Sequence, residues 1–145
     1  MQIQEVFDRR RFVFLDGGMG TQLQQRGLQP GQKPELAALE MPDVLTAIHR
    51  DYTAAGADIL YFETFTDLYE MKAALLAAKE NSTLPIMASM SFEANGRTFT
   101  GCTVESFAAT ARGLGANAVG INCSLGPKEI FPMAKRLVEA VPGDF

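Results

Sequence analysis

Three short stretches of the chain carry side chains that could do chemistry, and each follows an apolar run. Val119-Gly120-Ile121 leads into Asn122-Cys123-Ser124, which sets an amide beside a thiol. Phe12-Val13-Phe14-Leu15 stops at Asp16 and a glycine-rich turn, Gly17-Gly18-Met19-Gly20-Thr21, while Ile59-Leu60-Tyr61-Phe62 stops at Glu63. A thiolate is a nucleophile or a metal ligand, so Cys123 is the lead candidate. The two carboxylates suit an ammonium group, and backbone N–H groups in the turn at Gly17 could converge on a small anion. That turn lacks the lysine of a phosphate-binding loop and the Gly-x-Gly-x-x-Gly spacing, so a plain tight turn is the competing reading. Either acid alone could equally be a hydrogen-bonded loop residue.

Two further reactive residues read as structural. Cys102 precedes a helix cap at Thr103, where the N-terminal dipole could lower its pKa, against the plainer reading of a small residue packed in a loop. His49 lies beside the apolar stripe of a helix and is expected to be half-exposed with one hydrogen bond rather than a ligand.

The elements that must hold these groups alternate. Apolar runs at Phe12–Leu15, Ile59–Phe62, Pro85–Met90 and Ala118–Ile121 predict four strands, the first buried on both faces. Between them lie helical patterns: Val44, Leu45, Ile48 and Tyr52 ending near Gly56, then Leu68, Met71 and Leu75 behind an Asp67 cap, then Phe107, Ala111 and Leu114 behind Thr103. A last helix carries Ile130, Met133, Leu137 and Val138, and Pro132 fits it only if the helix begins near Glu129. An amphipathic lead-in with Ile3, Val6 and Phe7 precedes a solvated basic run, Arg9-Arg10-Arg11. Strands alternating with helices predict an α/β fold: a parallel sheet with helices outside and its site on the rim at the strand ends.

A length of 145 residues suits one domain with its own core. A net charge of −4 offers no footprint for nucleic acid or an acidic lipid surface. No apolar run is long enough to cross a bilayer and the start does not resemble a secretory signal, so the cytoplasm is the expected compartment. Two cysteines, Cys102 and Cys123, are too few for a disulfide framework and suit free thiols.

Taken together, Asp16-Gly17-Gly18-Met19-Gly20-Thr21, Phe62-Glu63-Thr64-Phe65 and Gly120-Ile121-Asn122-Cys123-Ser124 resemble three signature segments of the homocysteine S-methyltransferase family. The resemblance covers nearly the whole chain. It implies a (β/α)₈ TIM barrel in which zinc, held by three cysteine thiolates, activates the homocysteine thiol to accept a methyl group, as in methionine biosynthesis. By that resemblance Asp16, Glu63 and the N–H groups from Gly17 onward bind the amino acid, Asn122 supports the metal rim, and Cys123 is the first zinc ligand. Methylcobalamin is one methyl donor used in the family, and a donor or its carrier domain is the implied partner besides homocysteine.

Two departures follow from the same comparison. The adjacent Cys-Cys pair that completes the zinc site in the family has no counterpart. Gly56-Ala57-Asp58-Ile59 runs straight into Leu60-Tyr61-Phe62-Glu63, as if two family strands were merged and the part between them removed. The expectation is therefore a single homocysteine-binding-type domain over residues 1–145, a partial barrel of about four parallel strands lacking an internal segment and the last strands. Four strands cannot close on themselves. Such a sheet is capped by its own helices or paired with a second copy as a homodimer, alternatives that sedimentation separates. The alternative function is a non-catalytic half-barrel that binds an amino acid or dimerises.

Overall fold

The computed structural model describes residues 3–141, so Met1-Gln2 of the lead-in and the final Pro142–Phe145 lie outside the described residues. The chain forms two compact units, one built from the residues up to Phe12 together with those from Ile59 onward, the other from Val13–Asp58.

The first unit contains α1 (Ile3–Arg9), β1 (Leu60–Phe65), α5 (Leu68–Asn81), β2 (Ile86–Met90), α6 (Val104–Gly113), β3 (Ala118–Ile121) and α7 (Pro127–Ala140). The second contains α2 (Met19–Gln25), a 3₁₀ turn (Pro34–Leu36), α3 (Ala37–Glu40) and α4 (Pro42–Ala54).

The sheet has the order β1-β2-β3, and both pairings are parallel. Parallel neighbours need a crossover, and α5 and α6 supply the two. β2 is central, and its sequence Ile-Met-Ala-Ser-Met has none of the alternation of a half-wet strand because it is covered on both sides: only Met87 is not buried. Around it pack Met71 and Leu75 of α5, Phe107 and Ala111 of α6, and Met133 and Leu137 of α7. Phe92, just past β2, stacks obliquely on Phe107 with centroids 6.2 Å apart. Deleting either buried ring costs ~3–5 kcal/mol.

Helix termini follow the predicted chemistry. The Asp67 carboxylate accepts from the N–H groups of Tyr69 (2.8 Å) and Glu70 (3.0 Å), and the Thr103 hydroxyl accepts from Ser106 N–H (3.2 Å). Helix α7 departs from expectation. It starts at Pro127, two residues before Glu129, which puts Pro132 in its second turn. Proline there cannot donate to the Lys128 carbonyl, and both residues are exposed, which leaves that oxygen accessible to solvent.

The largest correction concerns the first apolar run. Phe12–Leu15 is no strand of the described sheet, which has three strands rather than about four, and it is not buried: Phe12 is 66% and Phe14 61% exposed. The reason is visible in its hydrogen bonding. The Phe14 N–H donates to the Asp58 carboxylate (3.1 Å) and the Asp58 N–H donates to the Phe14 carbonyl (2.7 Å), so one of the two bonds goes to a side chain, and the stretch makes a single β-bridge, at Leu15, rather than a ladder. The lead-in differs as well, since only Val6 of α1 is buried and Phe7 faces outward. The fold class is α/β with a three-stranded parallel sheet.

The second unit has its own small core of Leu23, Leu28, Ala37 and Ile48, against which Tyr52 and Val44 of α4 pack.

Candidate functional site

The rim at the carboxyl ends of β1 and β3 is shaped by irregular backbone. Along β1, Phe62 pairs with Ala88 and Phe65 with Met90, so Glu63 and Thr64 together oppose the single residue Ser89. This is a β-bulge, which bends a strand and re-aims its side chains. Contrary to the sequence expectation, Glu63 therefore lies inside β1 rather than after it. Thr64 adopts φ +67°, a left-handed conformation that a β-branched residue holds only when its surroundings impose it.

A second irregularity follows β3. The Asn122 N–H donates to the Met90 carbonyl (3.3 Å), extending the β2–β3 ladder by one residue. Cys123 (φ +58°) and Ser124 (φ +57°) then turn the chain through left-handed space. The Leu125 N–H returns to the Cys123 carbonyl (2.7 Å), and the Ser124 hydroxyl donates to the Phe92 carbonyl (2.7 Å). Among the described residues, Thr64, Cys123 and Ser124 are the non-glycine residues with positive φ. Strained backbone, at ~1–3 kcal/mol per residue, is thus concentrated on this rim.

The side chains of the two irregular segments meet. The Asn122 amide nitrogen lies 2.5 Å from the Thr64 hydroxyl and 3.4 Å from the Cys123 sulfur, and the Thr64 hydroxyl is 3.8 Å from the same sulfur. Beneath them the Ser89 hydroxyl donates to Asn122 Oδ1 (2.8 Å) and lies 3.1 Å from the Tyr61 hydroxyl. The Ser91 hydroxyl donates to the Asn122 carbonyl at 2.9 Å. Cys123 itself is exposed, so its sulfur is open to a ligand from the solvent side.

Of the residues singled out from sequence, Asn122 and Cys123 are joined directly, and Glu63 sits exposed in the bulge next to their partner Thr64. Asp16 and Gly17 belong to the other unit. There Gly18 precedes α2, and the Tyr52 hydroxyl of α4 donates to its carbonyl at 3.0 Å. A Cβ at Gly17 would fall 2.6–2.8 Å from the Tyr52 ring, so this position needs glycine for space. Asp16 is half-buried. Burial lowers the pKa of half-buried His49, and the Asp16 carboxylate works against that shift.

Cys102 follows the plainer of its two readings. Burial pushes its thiol pKa up, outweighing the backbone N–H of Phe107, and the thiol donates to the Thr103 carbonyl at 3.2 Å. It is a packed thiol rather than an activated one.

Thr64, Ser89 and Tyr61 are site residues that sequence reasoning did not single out. A serine inside the otherwise apolar run Ile86–Met90 is the one available signal for Ser89. Nothing local marks the backbone of Thr64.

A zinc ion at the rim would have to be held by the donors present there. Cys123 stands among an amide and a hydroxyl, and no group of three or more His, Cys, Asp or Glu able to hold a metal ion occurs among the described residues. A three-thiolate zinc centre does not fit these residues.

Comparison with known proteins bears on the same segments. A profile of the family described as Homocysteine S-methyltransferase matches residues 13–61 and 56–143. The methionine synthase of Mycobacterium tuberculosis is 30% identical over 135 residues, covering 90% of this chain and 11% of that protein. The methionine synthase of Mycobacterium leprae is 28% identical over 138 residues with the same coverage. The chain thus spans about a tenth of the length of these relatives. Two crystal structures of the homocysteine methyltransferase MmuM from Escherichia coli share the fold at 21% identity. The apo form aligns with a TM-score of 0.57 over 97% of this chain and 59% of its own, the metallated form with 0.61 over 95% and 62%.

Proposed function

The chain belongs to the homocysteine S-methyltransferase family, and on that premise we propose that it is a homocysteine-binding domain whose bound amino acid accepts a methyl group, as in methionine synthesis. The observation that carries this reading is the rim at the strand ends, where Asn122 and Cys123 of one family segment meet Thr64 of another. Glu63, on this rim, takes the ammonium group, and the family resemblance makes Asp16 and Gly17 substrate-binding residues as well. The homocysteine sulfur lies toward Cys123. In the transfer the thiol of homocysteine gives up its proton to solvent, its sulfur forms a bond to the methyl carbon, the bond from that carbon to its donor breaks, and the electron pair leaves with the donor. Methylcobalamin is a donor of the right kind.

Zinc is the agent that would deprotonate the homocysteine thiol, and the residues at the rim do not make the three-thiolate site it needs, so no step is assigned to it here. A lone cysteine on the rim favours a second reading, in which the chain binds the amino acid without transferring a methyl group. The two stretches matched by the family, 13–61 and 56–143, both claim residues 56–61. This overlap supports a single family domain in which the segment between two strands is missing at that point.

Isothermal titration with L-homocysteine, with L-serine and L-cysteine as controls, tests the binding step. Saturable heat for homocysteine is expected, and none at millimolar concentrations overturns the reading. Methionine formation from homocysteine and methylcobalamin, with zinc supplied, then separates the enzyme from the binding module.

A further inference from the structure

We propose that Ser89 is a positioning residue for the site: buried beneath the rim, it sets which way the Asn122 carboxamide faces, and so presents the amide N–H₂ to Thr64 and to the Cys123 sulfur. The proposal rests on the homocysteine reading only in assigning this rim to that amino acid.

Ser89 is 1% exposed and its hydroxyl has a single proton, which it donates to Asn122 Oδ1 at 2.8 Å. With that proton committed, the 3.1 Å contact to Tyr61 is made by the tyrosine O–H donating to Ser89. The carboxamide oxygen is then held downward, and both N–H groups point up to the rim, one to Thr64 Oγ1 and the other toward Cys123 Sγ at 3.4 Å. Thr64, having accepted from the amide, keeps its own proton, and the sulfur 3.8 Å away is an acceptor within its reach. The chain of bonds therefore runs in one direction, from Tyr61 through Ser89 and Asn122 to the sulfur, with Thr64 converging on the same atom. Two donors reaching the sulfur fix its orientation on the exposed rim.

The bulge makes the arrangement possible. Because Glu63 and Thr64 share the place opposite Ser89, Thr64 is turned to the rim while Ser89 stays beneath it. On the other side Ser89 pairs in register with Gly120, one residue of β3 before Ile121 and two before Asn122.

The test reads the amide directly by NMR in the whole chain. In the unaltered protein, the Asn122 side-chain N–H₂ protons are expected to show cross-relaxation to Thr64 and to the Cys123 β-protons. Cross-relaxation to the Ser89 β-protons instead overturns the proposal, and this measurement needs no variant. Ser89→Ala is expected to speed exchange of those amide protons with water about five- to tenfold, the factor that one ordinary hydrogen bond is worth. Ser89→Thr, which restores the hydroxyl, is expected to bring exchange back within about twofold, a rescue that filling of space alone would not produce. Exchange unchanged in Ser89→Ala, or left fast in Ser89→Thr, refutes the positioning role. Homocysteine affinity measured on the same samples keeps the two claims apart. An unaltered chain that binds no homocysteine defeats the functional reading, while the amide signals still decide the role of Ser89.

Discussion

Substituting Gly17 by alanine isolates the physical demand made by the glycine-rich turn. The added Cβ would stand 2.6 Å from Tyr52 Cε1, 2.7 Å from Cζ and 2.8 Å from the hydroxyl oxygen, where carbon atoms in contact rest at about 3.5 Å or more. The ring must therefore retreat by roughly 1 Å. Gly17 is not in the left-handed region, so backbone strain adds nothing and the whole effect is steric. Overpacking of this kind costs ~1–3 kcal/mol. Displacing the ring also loosens the bond from the Tyr52 hydroxyl to the Gly18 carbonyl, worth about 1 kcal/mol. Gly17→Ala is thus expected to lose about 2–4 kcal/mol. In a Tyr52→Leu background, where the ring is gone, the same substitution should cost no more than about 0.5 kcal/mol. The chain has no tryptophan, so urea unfolding is followed by far-ultraviolet circular dichroism. Additive losses in the double variant would refute the claim that Tyr52 is what excludes a side chain at Gly17.

Other outcomes follow from the charged and sulfur groups. Iodoacetamide near neutral pH should modify exposed Cys123 several-fold faster than Cys102, whose thiol burial pushes up, and peptide mapping of a time course would show the reverse order if the assignment were wrong. Arg136 clasps Glu105 through two bonds of 2.6 and 2.8 Å and holds its pKa down to about 2. A depressed carboxyl pKa stabilises the fold above the ordinary value and the contribution fades as pH falls from 4.5 toward 2. Both side chains are largely exposed, so screening reduces it to about 1 kcal/mol. Glu105→Gln should therefore be less stable by that amount at pH 7 and indistinguishable from the unaltered chain near pH 2, as measured by urea midpoints. Equilibrium dialysis should find no tight stoichiometric zinc, and one equivalent retained by the chain but lost in Cys123→Ser would contradict the reading of the rim.

Sequence alone determined the features that local chemistry governs. Asp67 and Thr103 cap α5 and α6 because a side-chain oxygen two or three residues before free N–H groups has an obvious partner. The runs at Ile86–Met90 and Ala118–Ile121 became neighbouring parallel strands, and Asn122-Cys123 followed the second to the rim as expected. Tertiary structure decided the rest. Phe12–Leu15 reads as a strand, but a strand exists only where a ladder continues, and here it stops at a single bridge at Leu15, with one of the two bonds between Phe14 and Asp58 made by the carboxylate. The bulge at Glu63-Thr64 and the left-handed turns at Cys123 and Ser124 have no glycine to announce them, because their conformations are imposed by pairing to β2 and by bonds to Phe92 and Met90. Ser89 and Tyr61 entered the site, and Cys102 stayed out of it, for a common reason. What a hydroxyl or a thiol can do depends on which groups the folded chain brings within 3 Å or so and on how much water it removes, and neither is written in the neighbouring residues.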